Sequence, residues 1–411
     1  MVNFKEHTLP NGLHVIVHED HNTPLVCLNL LYKVGSRNEQ PHKTGFAHLF
    51  EHLMFGGSKH IKSFDEPLQV VGGENNAFTN TDITNYYITI PSANVETAFW
   101  LESDRMLSLS FDPEVLEVQR KVVIEEFKQR YLNQPYGDVW LKLRPVAYQK
   151  HPYQWPTIGK EISHIEHATM EDVRSFFDEH YHPGNATLVV AGDLTEEKAL
   201  ELTSKWFGGI AGKQKESESI VTEPRQEASR HLKVTARVPA DAIYKTYHMP
   251  ARTNRSYYAA DLLSDLIGRG NSSVLHQELV KNNPMFSSIS AYVTGSYDPG
   301  LLVISGKLLP DIEMEDADNA IRELIEPLKE TVDETLVEKV KNQAESTTVF
   351  SEVDLLNRAM GLAYANFLGN TNLVNEELEI IQSVTSQDIV AAARKILDEN
   401  NCTTLYYQAE K

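Results

Sequence analysis

Cysteine and long apolar runs are both scarce in this 411-residue sequence. Only Cys27 and Cys402 are present, far apart in the chain, so a disulfide framework and a cysteine metal cluster are excluded. No apolar run approaches the ~20 residues that a membrane-crossing helix needs. Residues 1–5 lack the apolar stretch of a signal peptide. We therefore expect no membrane partner and a cytoplasmic location.

Positive charge is also in short supply. The chain has 38 Lys and Arg against 58 Asp and Glu, a formal net charge of −20. Nucleic-acid binding needs a basic surface, so no nucleic-acid partner is expected. The acidic excess either attracts basic peptides to a cleft or forms a solvated surface, and we favour the solvated surface. The length itself predicts two or more domains.

One short motif, His48-Leu49-Phe50-Glu51-His52, indicates a specific chemistry. Histidines at i and i+4 lie on one face of a helix, where both imidazoles can reach one metal ion. The order H-x-x-E-H occurs among zinc proteases. Glu51 shares that face and could take a proton from a water that the metal activates. Short motifs also arise by chance, so a helix with two hydrogen-bonded core histidines is the alternative.

The surrounding residues predict that the motif is helical. Thr44 is the expected N-cap, and Gly56 and Gly57 are expected to end the helix. Between them lies an apolar stripe at helical spacing: Phe46, Leu49, Phe50, Leu53 and Met54. Buried imidazoles and a buried carboxylate need partners, and a bound metal would provide them.

Catalytic zinc usually has three protein ligands and one open position, so a third ligand is needed. The best candidates are Glu125 and Glu126, which lie inside a helical pattern running from about Pro113 past Arg130. A solvated helix face is the alternative interpretation of such a pair. Spacing alone does not choose between the two glutamates.

Further segments accompany the motif in a fixed order. They are residues 34–39 (VGSRNE), 45–55 (GFAHLFEHLMF), 72–79 (GGENNAFT), 151–159 and 181–193. With these segments, the first half of the chain resembles the pitrilysin family of zinc peptidases, or inverzincins. That family includes insulin-degrading enzyme and the mitochondrial processing peptidase.

The resemblance implies a zinc-dependent endopeptidase with one Zn²⁺ per chain. It identifies His48, His52 and Glu126 as the metal ligands and Glu51 as the general base. Gln119 departs from the family pattern, in which a second glutamate often lies seven residues before the last ligand.

The resemblance also implies how the substrate binds. In the family, the segment that matches Asn76, Ala77 and Phe78 belongs to an edge strand, which pairs with an extended peptide inside a closed chamber. These three residues are therefore the expected substrate-binding residues. Without the resemblance, an ordinary hairpin with a buried Phe78 would be the expectation.

The second half of the chain repeats the first. Residues 169–172 (TMED) are echoed by 385–388 (TSQD), and each copy predicts a capped helix followed by a strand. The repeat and the resemblance predict an α+β fold of two homologous domains, each a mostly antiparallel sheet packed against helices, related by internal duplication. We expect a metal-bearing domain at 1–212, a linker at 213–224, and a domain without metal at 225–411 that contributes to the substrate chamber.

The second half departs from the family at two further positions. Many relatives carry an Arg and a Tyr that grip the substrate, where this sequence has Lys281 and Phe286. Lys lacks the guanidinium fork and Phe lacks a hydroxyl. We expect both residues to contact substrate. The weakened pair predicts a homodimer, or a heterodimer with a homologous chain that supplies Arg and Tyr. The alternatives are a subunit that is inactive without this partner, or a non-catalytic scaffold.

Overall fold

The computed structural model describes residues 1–213 and 220–410. The chain forms two compact units, each assembled from three stretches of sequence. The first unit contains Met1–Arg130, Trp155–Val221 and Val349–Glu376; the second contains Tyr131–Gln154, Thr222–Thr348 and Glu377–Lys411. Residues 214–219, in the predicted linker 213–224, lie outside the described residues. The domain boundaries at 212 and 225 remain predictions.

A six-stranded sheet forms the centre of the first unit. Its strands are β1 (Lys5–Thr8), β2 (His14–Glu19), β3 (Leu25–Tyr32), β4 (Glu74–Thr79), β5 (Thr84–Pro91) and β6 (Ala186–Gly192). Their spatial order is β1-β2-β6-β3-β5-β4, with β2 and β6 parallel and the other neighbours antiparallel. Every residue of β6 is buried, whereas β4 lies at an edge and alternates between exposed and half-buried residues.

Helices cover the sheets of both units. Within the described residues they are α1 (Phe46–Leu53), α2 (Asp65–Val70), α3 (Val95–Leu107), α4 (Pro113–Phe127), α5 (Val139–Ala147), α6 (Ile162–Glu166), α7 (Met170–His180), α8 (Glu196–Phe207), α9 (Ser256–Gly268), α10 (Val274–His276), α11 (Met314–Ile325), α12 (Glu334–Ser351), α13 (Leu355–Phe367), α14 (Leu373–Gln382) and α15 (Ser386–Ile396). In this part of the chain, none is both long and apolar enough to cross a membrane.

The sheet of the second unit repeats the topology of the first. Its strands are β7 (Arg230–Ala236), β8 (Ala242–His248), β9 (Phe286–Val293), β10 (Leu301–Leu308) and β11 (Cys402–Ala409). The order β7-β11-β8-β10-β9, with β7 and β11 parallel, matches the order β2-β6-β3-β5-β4 in the first unit. The predicted α+β fold of two duplicated domains is confirmed.

The repeated helix cap is present in both units. Thr169 at the start of α7 and Thr385 at the start of α15 each accept a hydrogen bond from the backbone of an aspartate three residues later. The side chains of Asp172 and Asp388 return the interaction by accepting from the threonine backbone. This reciprocal arrangement satisfies two backbone donors at each helix start.

Candidate metal centre

Helix α1 carries both histidines of the motif, although it begins differently from the prediction. Its N-cap is Gly45, with a φ of +88°, and not Thr44. The Thr44 hydroxyl lies instead against His164 Nδ1 at 2.8 Å and accepts a hydrogen bond from the Lys160 amide. The left-handed conformation of Gly45 favours glycine, and a Cβ there would lie 2.7 Å from the Ile158 oxygen. The first turn of α1 therefore has no side-chain cap from its own N-cap residue.

The opposite face of α1 is anchored in the core of the first unit. Leu49, Phe50 and Leu53 are buried, and the Phe50 ring stacks on Tyr181 at a centroid distance of 5.2 Å. The Tyr86 hydroxyl also contacts the Phe50 carbonyl oxygen. With this face fixed, His48, Glu51 and His52 project together from the other side of the helix.

Helix α4 presents Glu126 to these histidines. Leu116, Val123 and Phe127 form the buried stripe of α4. Glu126 stands beside that stripe with 18% of its side chain exposed, whereas Glu125 is 59% exposed and pairs with Lys128. Of the two glutamates that spacing left open, the structure therefore brings Glu126 to the motif.

The three predicted ligands converge on one point. Glu126 Oε2 lies 3.2 Å from His48 Nε2 and 3.5 Å from His52 Nε2, and one ligand atom from each residue lies within 4.8 Å of the others. The second carboxylate oxygen, Oε1, is 3.0 Å from Arg130, which leaves Oε2 for the histidines. Glu51 Oε2 lies 3.5 Å from His48 Nδ1.

This donor set fits zinc. Nitrogen and oxygen ligands bind tetrahedral zinc at about 2.0–2.2 Å, so neighbouring ligand atoms lie roughly 3.3–3.6 Å apart. The observed separations of 3.2 and 3.5 Å agree with that spacing. Two histidines and one carboxylate also leave a fourth position for water or substrate, as catalytic zinc requires.

The electrostatics of the metal-free cluster favour a cation. Burial acts to lower the pKa of His48, but hydrogen bonding and charge from Glu126 and Glu51 outweigh it and raise that pKa to about 9. The hydrogen bond with His48 lowers the pKa of Glu126 to about 2, although burial opposes this. The two carboxylates thus hold a proton on His48 in the absence of metal, and a bound metal would displace that proton.

His52 and Glu51 are also in forms suited to their expected roles. Burial, together with the charge of His48, lowers the pKa of His52 and favours the neutral imidazole that binds metals. For Glu51, burial acts to raise the pKa, but His48, the Thr79 side chain and His52 outweigh it and lower the pKa. Glu51 is therefore ionised at neutral pH.

The expected substrate-binding residues of the first half lie on β4. Asn76 is exposed, Ala77 is half-buried, and Phe78 is 37% exposed, so Phe78 is not the buried hairpin residue that the sequence alone would suggest. Thr79 is the last residue of this edge strand, and its side chain lowers the pKa of Glu51 by hydrogen bonding. The open edge of β4 thus ends beside the motif helix.

Lys281 and Phe286 lie in the second unit and have different environments. Lys281 is exposed at the end of a π-helical segment, Gln277–Asn282. Phe286 is 1% exposed, belongs to the core of the second unit and packs closely against Gly306. β9 begins at Phe286 and turns the ring inward. The expected contact of this residue with substrate remains a prediction.

Two residues near the centre escaped the sequence prediction. Arg130 binds Glu126 from four residues further along the chain, a spacing that usually indicates only a surface ion pair. Glu39 is buried, and its carboxylate accepts hydrogen bonds from Gly45 and Ala47 at the start of α1. Its place in the segment 34–39 was the only sequence signal.

Comparison with known proteins is consistent with this site. A sequence model described as "Insulinase (Peptidase family M16)" matches residues 14–161, and one described as "Peptidase M16 inactive domain" matches residues 167–344. The chain is 31% identical to a protein from Helicobacter pylori named zinc protease PqqE, over 97% of this chain and 91% of that protein. It is 26% identical to an uncharacterized zinc protease of Rickettsia felis, over 96% and 95% of the two chains.

The fold comparison agrees. The crystal structure of a protease from Helicobacter pylori superposes with a TM-score of 0.94 and 29% identity, covering 99% of this chain and all of that one. The similarity thus extends to both halves of this chain and over nearly the full length of these relatives. This chain belongs to the insulinase family of zinc proteases, peptidase family M16.

Proposed function

We propose that this chain is a zinc-dependent endopeptidase that hydrolyses peptides bound in extended form. The observation that carries the proposal is the convergence of His48, His52 and Glu126 with the spacing of zinc ligands, beside an ionised Glu51. The names of the relatives as zinc proteases support the choice of metal. One zinc ion per chain follows from the single group of metal-binding side chains found in the described residues.

The side chains divide the chemistry between them. Zinc held by His48, His52 and Glu126 would supply a Lewis acid that polarises the scissile carbonyl and acidifies a water molecule. Glu51 acts as general base. It takes a proton from the water molecule while the water oxygen forms a bond to the carbonyl carbon of the substrate. Glu51 then gives that proton to the leaving amine as the carbon–nitrogen bond breaks. Arg130 keeps one oxygen of Glu126 engaged, so that the other remains a ligand.

The substrate backbone is proposed to pair with β4. The exposed edge of this strand offers backbone N–H and C=O groups, and such pairing reads the main chain of a peptide more than its sequence. Asn76, Ala77 and Phe78 would line the peptide, with the half-exposed Phe78 ring able to contact an apolar side chain. We further propose, from the family resemblance, that binding occurs inside a closed chamber.

The direct test is the substitution Glu51→Gln. We expect the variant to bind one zinc ion per chain, because the ligands are unchanged, and to cleave a pool of unstructured peptides at least about a hundredfold more slowly, the scale of general-base loss. Zinc content is measured by atomic absorption and cleavage by mass spectrometry. Glu125→Gln is the matched control, since Glu125 is exposed and points away from the site. A zinc-loaded Glu51→Gln chain with full activity would refute the role of Glu51.

A second chain is the remaining part of the proposal. Neither Lys281 nor the buried Phe286 reproduces the Arg and Tyr of many relatives, so we propose a homodimer or a pairing with a homologous chain that supplies them. Light scattering combined with the peptide-cleavage assay distinguishes the homodimer from the heterodimer. Zinc-loaded protein that is inactive alone, and activated by a homologous chain, would support the heterodimer. A fully active homodimer would contradict it.

A further inference from the structure

A short segment before α1, defined as Gly35 through Glu39, connects two parts of the first unit. It contains a single 3-10 turn, Ser36–Asn38, closed by a hydrogen bond from the Gly35 amide to the Asn38 side chain. The Trp155 indole donates a hydrogen bond to the Ser36 carbonyl oxygen at 2.9 Å. Trp155 is 1% exposed, so the segment is held against the interior of the unit.

One end of the 35–39 segment is hydrogen-bonded to the start of helix α1. Glu39 Oε2 accepts from the Gly45 amide at 3.0 Å, and Oε1 accepts from the Ala47 amide at 2.8 Å. The first amides of a helix have no partner within the helix, and the N-cap Gly45 offers no side chain. Glu39 therefore provides the cap from outside the helix. His48 follows directly after the residue that Glu39 binds.

The other end is hydrogen-bonded to the turn that follows β4. The Ser36 amide donates to the Asn80 oxygen and the Arg37 amide donates to the Thr81 oxygen. The approach is so close that a Cβ on Gly35 would lie 2.5 Å from the Asp82 nitrogen. Asn80 comes directly after Thr79, the last residue of β4. The segment thus ties the end of the edge strand to the first turn of α1.

From these contacts we propose that Glu39 is a positioning residue that fixes the first turn of α1, and with it His48, relative to the end of β4. The inference rests on the proposed function, since it assigns to Glu39 a role towards the zinc site. Glu39 binds the start of α1 through the Gly45 and Ala47 amides, so we assign it a positioning role and not a catalytic one. Its burial supports the role, because a carboxyl 6% exposed is retained in a core only when its oxygens are engaged.

The test is the zinc affinity of Glu39 variants of the full chain. Metal-stripped protein is titrated with zinc in competition with a chromophoric chelator at neutral pH. Glu39→Ala leaves both amides without their acceptor, and we expect zinc to bind about tenfold more weakly, the lower range seen when residues that support metal ligands are removed. Glu39→Gln keeps the side-chain volume but offers one acceptor oxygen for two amides, so its zinc affinity should fall between those of wild type and Glu39→Ala.

A matched control separates positioning from loss of stability. Thr195 caps α8 by accepting from the Lys198 amide, and α8 carries none of the site residues. Thr195→Ala should lower the melting temperature and leave zinc affinity unchanged. If Glu39→Ala does not fold, Glu39→Gln decides the question. Tight zinc binding by wild type and by the folded Glu39 variants would overturn this inference alone, whereas a wild-type chain that binds no zinc would overturn the proposed function and this inference together.

Discussion

The buried carboxyl of Glu39 should give the first unit an unusual dependence on pH. Burial raises the pKa of Glu39 to about 8, although the Ala47 and Gly45 amides, the Trp155 indole and the charge of His48 oppose the rise. The ordinary value is 4.5, so the unfolded chain releases this proton several pH units earlier than the folded one. The stabilisation is therefore complete below pH 4.5 and is lost progressively as the pH rises towards 8.

The magnitude follows from the interval between the two values. At about 1.36 kcal/mol per pKa unit, the full interval corresponds to at most about 5 kcal/mol of unfolding free energy. Between about pH 5.5 and about pH 7.5, wild type should lose about 3 kcal/mol relative to Glu39→Gln. The glutamine side chain does not titrate, so taking the difference removes the contribution of most other ionisable groups.

Urea unfolding of both proteins at several pH values measures this difference. Tryptophan fluorescence is a suitable probe, because Trp100, Trp155 and Trp206 lie in the first unit and only Trp140 lies in the second. A chelator should be present, since bound zinc would stabilise the folded state. A difference that is constant with pH would refute the reasoning. A difference that grows in favour of wild type as the pH rises would show that the amides, and not burial, control Glu39.

Three further outcomes are expected. Glu126→Gln should weaken zinc binding by more than about a hundredfold, which is the upper range for residues that only support ligands. Glu125→Gln should leave zinc binding unchanged, and competition titration with a chelator measures both variants. Gly35→Ala should destabilise the protein by about 1–3 kcal/mol because its Cβ meets backbone, whereas Gly209→Ala, with nothing within 4 Å, should be nearly neutral in thermal unfolding. Phe286→Ala should cost about 3–5 kcal/mol by opening a cavity, and zinc affinity should be unchanged; a stable Phe286→Ala chain with impaired peptide binding would instead favour a substrate contact.

The sequence was most informative where local rules decide the structure. Helical spacing predicted α1 and α4, the threonine–aspartate pairs predicted the starts of α7 and α15, and the repeat predicted the duplicated sheets. Thr44 was mispredicted as the N-cap because its hydroxyl has a distant partner, His164, that spacing cannot reveal. Glu39 was missed for a similar reason, since a cap supplied from six residues before the N-cap leaves no periodic pattern.

The different environments of Glu125 and Glu126 could not be predicted from the sequence pattern, because helix packing determines them. Both residues follow the same apolar run, and only the orientation of α4 against α1 exposes one and directs the other to the histidines. Phe286 shows the converse. An aromatic residue at a matching position suggested a shared role, yet the start of β9 turns the ring into the core.

The interleaved composition of the two units has a consequence for how the chain is made. Helix α13 (Leu355–Phe367) packs on β3 and β6, and Arg358 pairs with Asp20 at 2.7 Å. Asn366 also accepts a hydrogen bond from Thr187, more than 170 positions earlier. During synthesis, the sheet of the first unit therefore stays partly uncovered until nearly the whole chain has left the ribosome. A fragment that stops near residue 212 would keep every proposed zinc ligand and still expose that apolar face, so it should aggregate or recruit chaperones instead of binding metal as a stable domain.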